Sequence, residues 1–130
     1  MNKKLKTYIK KLTLDIDKIP KKRKKLLLDI AGYLKQDCFN ENRANIIFIC
    51  THNSRRSQLA QCWSIASSQY YNLKNINFFS GGMETTSFNR KALNALKRSG
   101  FIIDQKNQEA QVYLLKTSKT SDGQKFFSKR

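Results

Sequence analysis

The run Ile46-Ile47-Phe48-Ile49-Cys50-Thr51-His52-Asn53-Ser54-Arg55-Arg56-Ser57 constrains this chain more than any other part of it. Its first four residues are continuously apolar and mostly β-branched, the pattern of a short parallel strand covered on both faces. Such a strand, read from Asn45 to Cys50, is expected to be the central one of its sheet. Behind the loop Leu59, Cys62, Trp63, Ala66 and Tyr70 recur at helical spacing, which predicts a helix from about Arg56 to Tyr71 with one buried stripe. A cysteine at a strand end, a short loop, and then Arg and Ser opening a helix suit nucleophilic attack on a tetrahedral oxyanion. Loop N–H groups and the helix N-terminus stabilise negative charge, so they lower the pKa of the Cys50 thiol and then bind the anion's oxygens.

Other residues of the loop have roles that follow from their chemistry. Arg56 can fold a planar guanidinium over the bound group and contact two equatorial oxygens, a fit that lysine cannot reproduce, and it can stabilise transition-state charge. Ser57 can donate its hydroxyl to the cysteine sulfur. Asn53 tolerates left-handed backbone angles and so can hold the loop's curvature. Cys-x5-Arg alone is a weak signal; the predicted strand before it, the Asn-Ser inside it and the Ser and amphipathic helix after it make it a strong one. His52, the only histidine, can act as an acid or shape specificity, the plainer reading being an exposed residue at the pocket rim. Cys62 and Trp63 fall on the apolar side of the helix and read as core. Cys38 receives no role.

Leu5, Tyr8, Ile9 and Leu12 predict an amphipathic first helix with lysines on its other face. Pro20 can open a second helix, whose stripe Leu26, Leu27, Ile30, Tyr33 and Leu34 runs to about Lys35. The polar segment Gln36 to Arg43 is the expected boundary between a basic helical extension (1–42) and a main α/β body (43–130). Ile76 to Ser80 reads as a second strand ending in Gly81-Gly82, where missing side chains permit close backbone approach. Asn89 is the predicted cap of a further helix, with Phe88 and Leu93 as a hydrophobic staple, Lys97 and Arg98 in its last turn and Gly100 at its end. Val112 to Leu115 and Phe126 to Ser128, around Asp122-Gly123, suggest a hairpin.

Composition narrows the classes. The chain has 130 residues, 39% of them hydrophobic, with five Gly and one Pro, which fits one globular core and excludes a fibrous or wholly disordered chain. No apolar run approaches the roughly 20 residues that cross a bilayer, and no leader pattern opens the chain, so a cytoplasmic location without membrane attachment is expected. Cys38, Cys50 and Cys62 match neither a disulfide framework nor a zinc ligand set. The net charge of +17 is concentrated, with ten Lys and one Arg against Asp15 and Asp17 between Met1 and Lys25. Such a field attracts polyanions. A nucleic-acid partner is nevertheless not indicated, because there is no zinc finger, no aromatic stacking motif and no recognition-helix pattern.

Taken together, Ile46 to Gln61 resembles the signature of the low-molecular-weight protein tyrosine phosphatase family, and especially its arsenate-reductase branch. Phe79-Ser80-Gly81-Gly82-Met83-Glu84-Thr85 and the Asn89-Arg90-Lys91-Ala92 segment are similar to that branch in order and spacing, so the resemblance covers about Asn45 to Ile103. It implies a flavodoxin-like α/β fold with a four-stranded parallel sheet, incomplete here at the C-terminus and preceded by the helical extension. It also implies a cysteinyl-phosphate intermediate and no metal or other cofactor. Carried over to this sequence, the nucleophile is Cys50, the clamp Arg56, and the phosphate-binding loop Thr51, His52, Asn53, Ser54, Arg55 and Arg56, with Ser57 beside the sulfur. Arg55 stands where thioredoxin-coupled arsenate reductases carry a second cysteine. The family's late Asp-Pro acid has no counterpart after Lys116, Asp122 preceding a glycine in the expected turn. The expected activity is hydrolysis of phosphotyrosine or an aryl phosphate; the alternatives are arsenate reduction and non-catalytic binding of phosphate or phosphoprotein. Self-association through an unfilled sheet edge is a further expectation.

Overall fold

The computed structural model describes residues 1–39, 43–84, 86–107, 109, 111–120 and 123–126. Thr85, Asp122 and Ser128 lie outside the described residues, as does the side chain of Cys38. Two parallel strands, β1 (Ala44–Cys50) and β2 (Ile76–Gly82), pair in unbroken register from Ala44 opposite Ile76 to Cys50 opposite Gly82. Helix α3 (Arg56–Tyr70) connects them and packs against both. The parallel pairing brings the end of β1, the start of α3 and Gly81-Gly82 to one edge, the place where α/β sheets hold their ligands.

The N-terminal helix α1 (Lys3–Thr13) forms because Asn2 caps it, its side-chain oxygen accepting from Leu5 N at 2.9 Å, and because Lys10 and Lys11 sit favourably in its last turn. Asn2 also donates its side-chain amide to the carbonyls of Gly100 and Thr117, at 2.8 and 2.9 Å. The apolar side of α1 is thereby fixed against the body: Leu5 and Ile9 are buried in the main core, while Tyr8 stacks on Trp63 with ring centres 5.5 Å apart. Helix α2 (Lys21–Phe39) starts directly after Pro20, and a short 3-10 turn at Ile16–Lys18 links it to α1.

Helix α4 (Arg90–Ser99) has the termini expected of it. Asn89 accepts from Lys91 N and Ala92 N, and Gly100 closes the helix at φ 115°, a value glycine reaches without strain. Strands β3 (Ile102–Asn107), β4 (Val112–Lys116) and β5 (Gln124–Phe126) form a separate antiparallel sheet in the order β3-β4-β5. The hairpin expected around Asp122-Gly123 is β4 with β5, Tyr113 lying opposite Phe126; β3 was not anticipated. Leu115 and Phe126 of this sheet meet Leu93 and Leu96 of α4, Cys62 and Ala66 of α3, and Leu5 of α1 in a single core.

Two expectations are corrected: among the described residues the parallel sheet has two strands where the resemblance implies four, and β1 is not covered on both faces. Strand β1 was read as central and covered on both faces, yet among the described residues it pairs only with β2, and one face is open. Ile47 is 59% exposed, Ile49 64% and Phe79, opposite Ile47, 42%. The cause is that α3 is the helix laid on this sheet, and the residues of α1, α4 and the antiparallel sheet that form the core gather around α3. The stripe of α2 is open as well, with Leu26, Ile30 and Tyr33 all exposed. Among the described residues no helix is long and apolar enough to cross a membrane.

Candidate functional site

Cys50 ends β1, and residues 51–55 form a tight loop that leads into α3 at Arg56. The loop turns at Asn53, which is fully buried and has φ 46°, the left-handed region that asparagine tolerates best after glycine. The sulfur of Cys50 lies 2.9 Å from the hydroxyl of Ser57. Partial burial pushes the thiol pKa up, but hydrogen bonds from the Ser57 hydroxyl and from the backbone N–H groups of Ser57, Asn53 and Ser54 outweigh it, and the pKa falls from 9.0 to about 7. These are the donors expected from the loop and the first turn of the helix. Arg56 is not among the causes. Its guanidinium instead bends back along the mouth of the loop, with Nη2 3.5 Å from Thr51 Oγ1. Among the described residues no carboxylate forms an ion pair with Arg55 or Arg56, so both cations remain available to an anion.

The loop is braced on two sides. In front, the segment after β2 runs along it: Glu84 N donates to Thr51 O at 2.9 Å, Asn89 N to Ser54 O at 2.9 Å, Ser54 Oγ to Ser87 O at 2.6 Å and Thr86 Oγ1 to His52 O at 3.0 Å. Glu84 also meets His52, the two side chains 3.2 Å apart and both largely exposed, which places His52 at the rim as expected. The close approach foreseen for the paired glycines falls at Gly82, where a Cβ would stand 2.7 Å from Asn53 N. Behind the loop lies a buried polar cluster. Asn53 Nδ2 donates to Ser57 Oγ at 2.8 Å, and Gln58 Nε2 donates to Asn53 O at 3.1 Å and to Asn53 Oδ1 at 3.2 Å. Ser80 of β2 donates to Gln61 Oε1 at 2.7 Å and approaches Gln58 Oε1 at 3.3 Å, while Gln61 Nε2 donates to Phe78 O at 2.8 Å.

All the loop residues singled out from the sequence, Cys50 through Ser57, therefore meet at one place. Gln58, Gln61 and Ser80 were not singled out. A signal for Gln58 existed: it stands four and eight residues before Cys62 and Ala66, on the face that α3 buries.

Comparison with known proteins finds arsenate reductases. The chain is 36% identical over 69 residues to an arsenate reductase of Brevibacillus brevis, a match covering 53% of this chain and 48% of that protein. It is 39% identical over 72 residues to an arsenate reductase of Bacillus cereus, covering 55% and 49%, and 39% identical over 61 residues to one of Staphylococcus aureus, covering 47% and 44%. About half of this chain is homologous to arsenate reductases. The resemblance read from the sequence, to a cysteine-dependent, phosphatase-like family, thus rests on relatives as well as on the loop. No protein-family model and no solved structure matches the chain. The chain spans about half the length of the curated relatives it matches.

The second described thiol, Cys62, has no access to this arsenate-reductase-like loop from solvent. It is fully buried, and burial pushes its pKa up, out of the range in which a thiolate forms near neutrality. Among the described residues, then, Cys50 is the one thiol with both exposure and a lowered pKa.

Proposed function

We propose that this chain carries out thiolate chemistry on a tetrahedral oxyanion, that the anion is arsenate, and that a thiol from another molecule completes the reduction. The observation that carries the proposal is the Cys50 sulfur within 2.9 Å of the Ser57 hydroxyl and served by the backbone N–H groups of Asn53, Ser54 and Ser57. The arsenate reductases among its relatives favour arsenate over other anions. The thiolate attacks arsenic and one oxygen leaves as water, giving an S–As bond. An external thiol then attacks the Cys50 sulfur, the S–As bond breaks, and its electron pair stays on arsenic, which departs as arsenite. The two thiols end as a mixed disulfide, the two electrons they give up being those arsenic gains. Arg56 balances the anion's charge at the loop mouth. Cys62 is buried and Arg55 occupies the place of a second loop cysteine, so neither of these positions supplies the second thiol.

Arg55 also favours a second reading, hydrolysis of aryl phosphates, which needs the same nucleophile and clamp but no second thiol. There the thiolate displaces the aryl oxide, and water cleaves the resulting cysteinyl phosphate. One experiment separates the two. The chain is incubated with arsenate and either reduced glutathione or reduced thioredoxin, arsenite is quantified, and p-nitrophenyl phosphate is assayed in parallel with Cys50→Ser as blank. Arsenite formed only with Cys50 supports the first reading. Nitrophenolate without arsenite replaces it with the second, and phosphate binding without either product leaves a binding module.

A further inference from the structure

The polar cluster behind the loop has a direction, and hydrogen-bond chemistry fixes it from both ends. A main-chain carbonyl can only accept, so the amide facing Asn53 O must present its nitrogen there; Gln58 therefore points Nε2 at Asn53 and Oε1 at Ser80. Gln61 is fixed in the same manner by Phe78 O, which leaves its oxygen to accept from Ser80 at 2.7 Å. The second N–H of Gln58 meets Asn53 Oδ1, so this amide too has one orientation, with its nitrogen toward Ser57 at 2.8 Å. The oxygen of Ser57 accepts that bond, and its single hydroxyl hydrogen is directed at the sulfur 2.9 Å away.

Every member of this chain behind Cys50 is buried. Gln58 and Asn53 are 0% exposed, Gln61 and Ser80 1%, Ser57 3%. Two fully buried glutamines on one helix face, where aliphatic side chains would pack without desolvating an amide, require a reason beyond filling space. We infer that Gln58 is a positioning residue for the Cys50 thiolate: by holding the Asn53 amide in one orientation it keeps the Ser57 hydroxyl hydrogen on the sulfur. Ser80, on the strand beside β1, faces Gln58 Oε1 in turn and is itself held by Gln61 of the same helix. The inference deepens the reading of Cys50 as the nucleophile and rests on it. It concerns the resting thiolate and therefore applies whichever anion is attacked.

The variants follow from the geometry. Gln58→Met keeps the length of the side chain and removes both donors. Gln58→Glu keeps the shape and sets an acceptor against Asn53 O. Ser80→Ala removes the hydroxyl shared by the two glutamines while leaving both in place. Cys62→Ala, one turn along the same buried face, weakens the helix packing without touching the relay and serves as the control for general loss of stability. The rate of Cys50 alkylation by iodoacetamide is followed over pH in the intact chain, with the melting midpoint of each variant.

The half-maximal pH should rise by about one unit in both Gln58 variants, a roughly tenfold loss of thiolate at a given pH below it, and by less in Ser80→Ala, while Cys62→Ala leaves it in place. A folded Gln58 variant with the wild-type midpoint overturns the inference. If neither Gln58 variant folds, Ser80→Ala decides: an unshifted midpoint in that folded variant overturns it equally. A wild-type midpoint near that of an ordinary cysteine would instead remove the reading of Cys50 on which the relay depends, so the two failures are distinguishable.

Discussion

Gly82→Ala probes the loop without altering any group that does chemistry. The added Cβ would lie 2.7 Å from Asn53 N and 3.0 Å from both Asn53 Cβ and His52 C. Ordinary van der Waals contact begins near 3.4 Å, so the loop and strand must separate by roughly half an ångström, the scale on which overpacked sites lose about 1–3 kcal/mol. Two of the three atoms are backbone, and Asn53 cannot swing aside, because it is buried and held by Ser57 and Gln58. The displacement passes to the N–H groups of Asn53 and Ser54 that face the sulfur. A misplacement of about 1 Å can cost on the order of a hundredfold in rate, so about tenfold is expected here. The measurements are the pH midpoint of Cys50 alkylation, protection by phosphate, and the melting temperature. Gly32→Ala is the companion: nothing lies within 4 Å of that position, it is in the exposed helix α2, and the change should stabilise by about 0.5–1 kcal/mol. An unchanged midpoint and unchanged protection in folded Gly82→Ala would refute the idea that this contact sets the loop.

Three further outcomes are expected. Arg56→Lys should fold normally and lose most phosphate or arsenate affinity by titration calorimetry, since charge is kept while the planar fork is lost; retained affinity would remove the clamp. The Cys50 pKa is lowered from 9.0 to about 7, so between these values the unfolded chain holds more of this proton and stability from this group should rise with pH. The gap in melting temperature between the wild type and Cys50→Ser should accordingly widen from pH 6 to pH 9, and a constant gap would contradict the shift. Finally, we propose that the unfilled edge of β1, with the open face that carries Ile47 beside it, mediates self-association. Replacing Ile47, 59% exposed, with lysine should then lower the sedimenting mass without loss of fold, and a monomeric wild type at high protein concentration would dismiss the proposal.

What could be read from the sequence and what could not divide along physical lines. Helix α4 was legible to the residue at its C-terminus because its signals are local: a capping Asn89, basic residues in the last turn and Gly100 in the left-handed conformation. The loop was legible for the same reason, since a cysteine, an asparagine at φ 46° and a serine behind an arginine each have a job within eight residues of one another. Strand β3 was not. Ile102-Ile103-Asp104-Gln105-Lys106-Asn107 has only two apolar residues, and its strand character comes from pairing with β4 rather than from its own pattern. The open face of β1 was misread because apolar runs report what a strand prefers and say nothing of which element covers it. Gln58 and Gln61 passed unnoticed because polar residues on an amphipathic helix are assigned to solvent by default, and what buries them lies on another strand.

The same division bears on how the site works. The groups that lower the Cys50 pKa come from the loop and the first turn of α3, in contacts that are buried or braced by the segment after β2. Everything that would recognise the rest of a substrate, from Arg55 and Arg56 to the exposed His52 and Glu84 pair, stands at an open rim. On the proposed reading the reactivity of the thiol and the choice of substrate would be carried by separate sets of residues, and changes to one set should leave the other largely intact. Replacing Glu84 with glutamine should alter which anions are turned over while leaving the alkylation midpoint of Cys50 in place, whereas the Gln58 variants should move that midpoint for every anion alike. If Glu84→Gln moved the midpoint as far as the Gln58 changes do, the rim and the relay would have to be treated as one electrostatic unit, and the thiol's acidity could no longer be assigned to hydrogen bonds behind the loop.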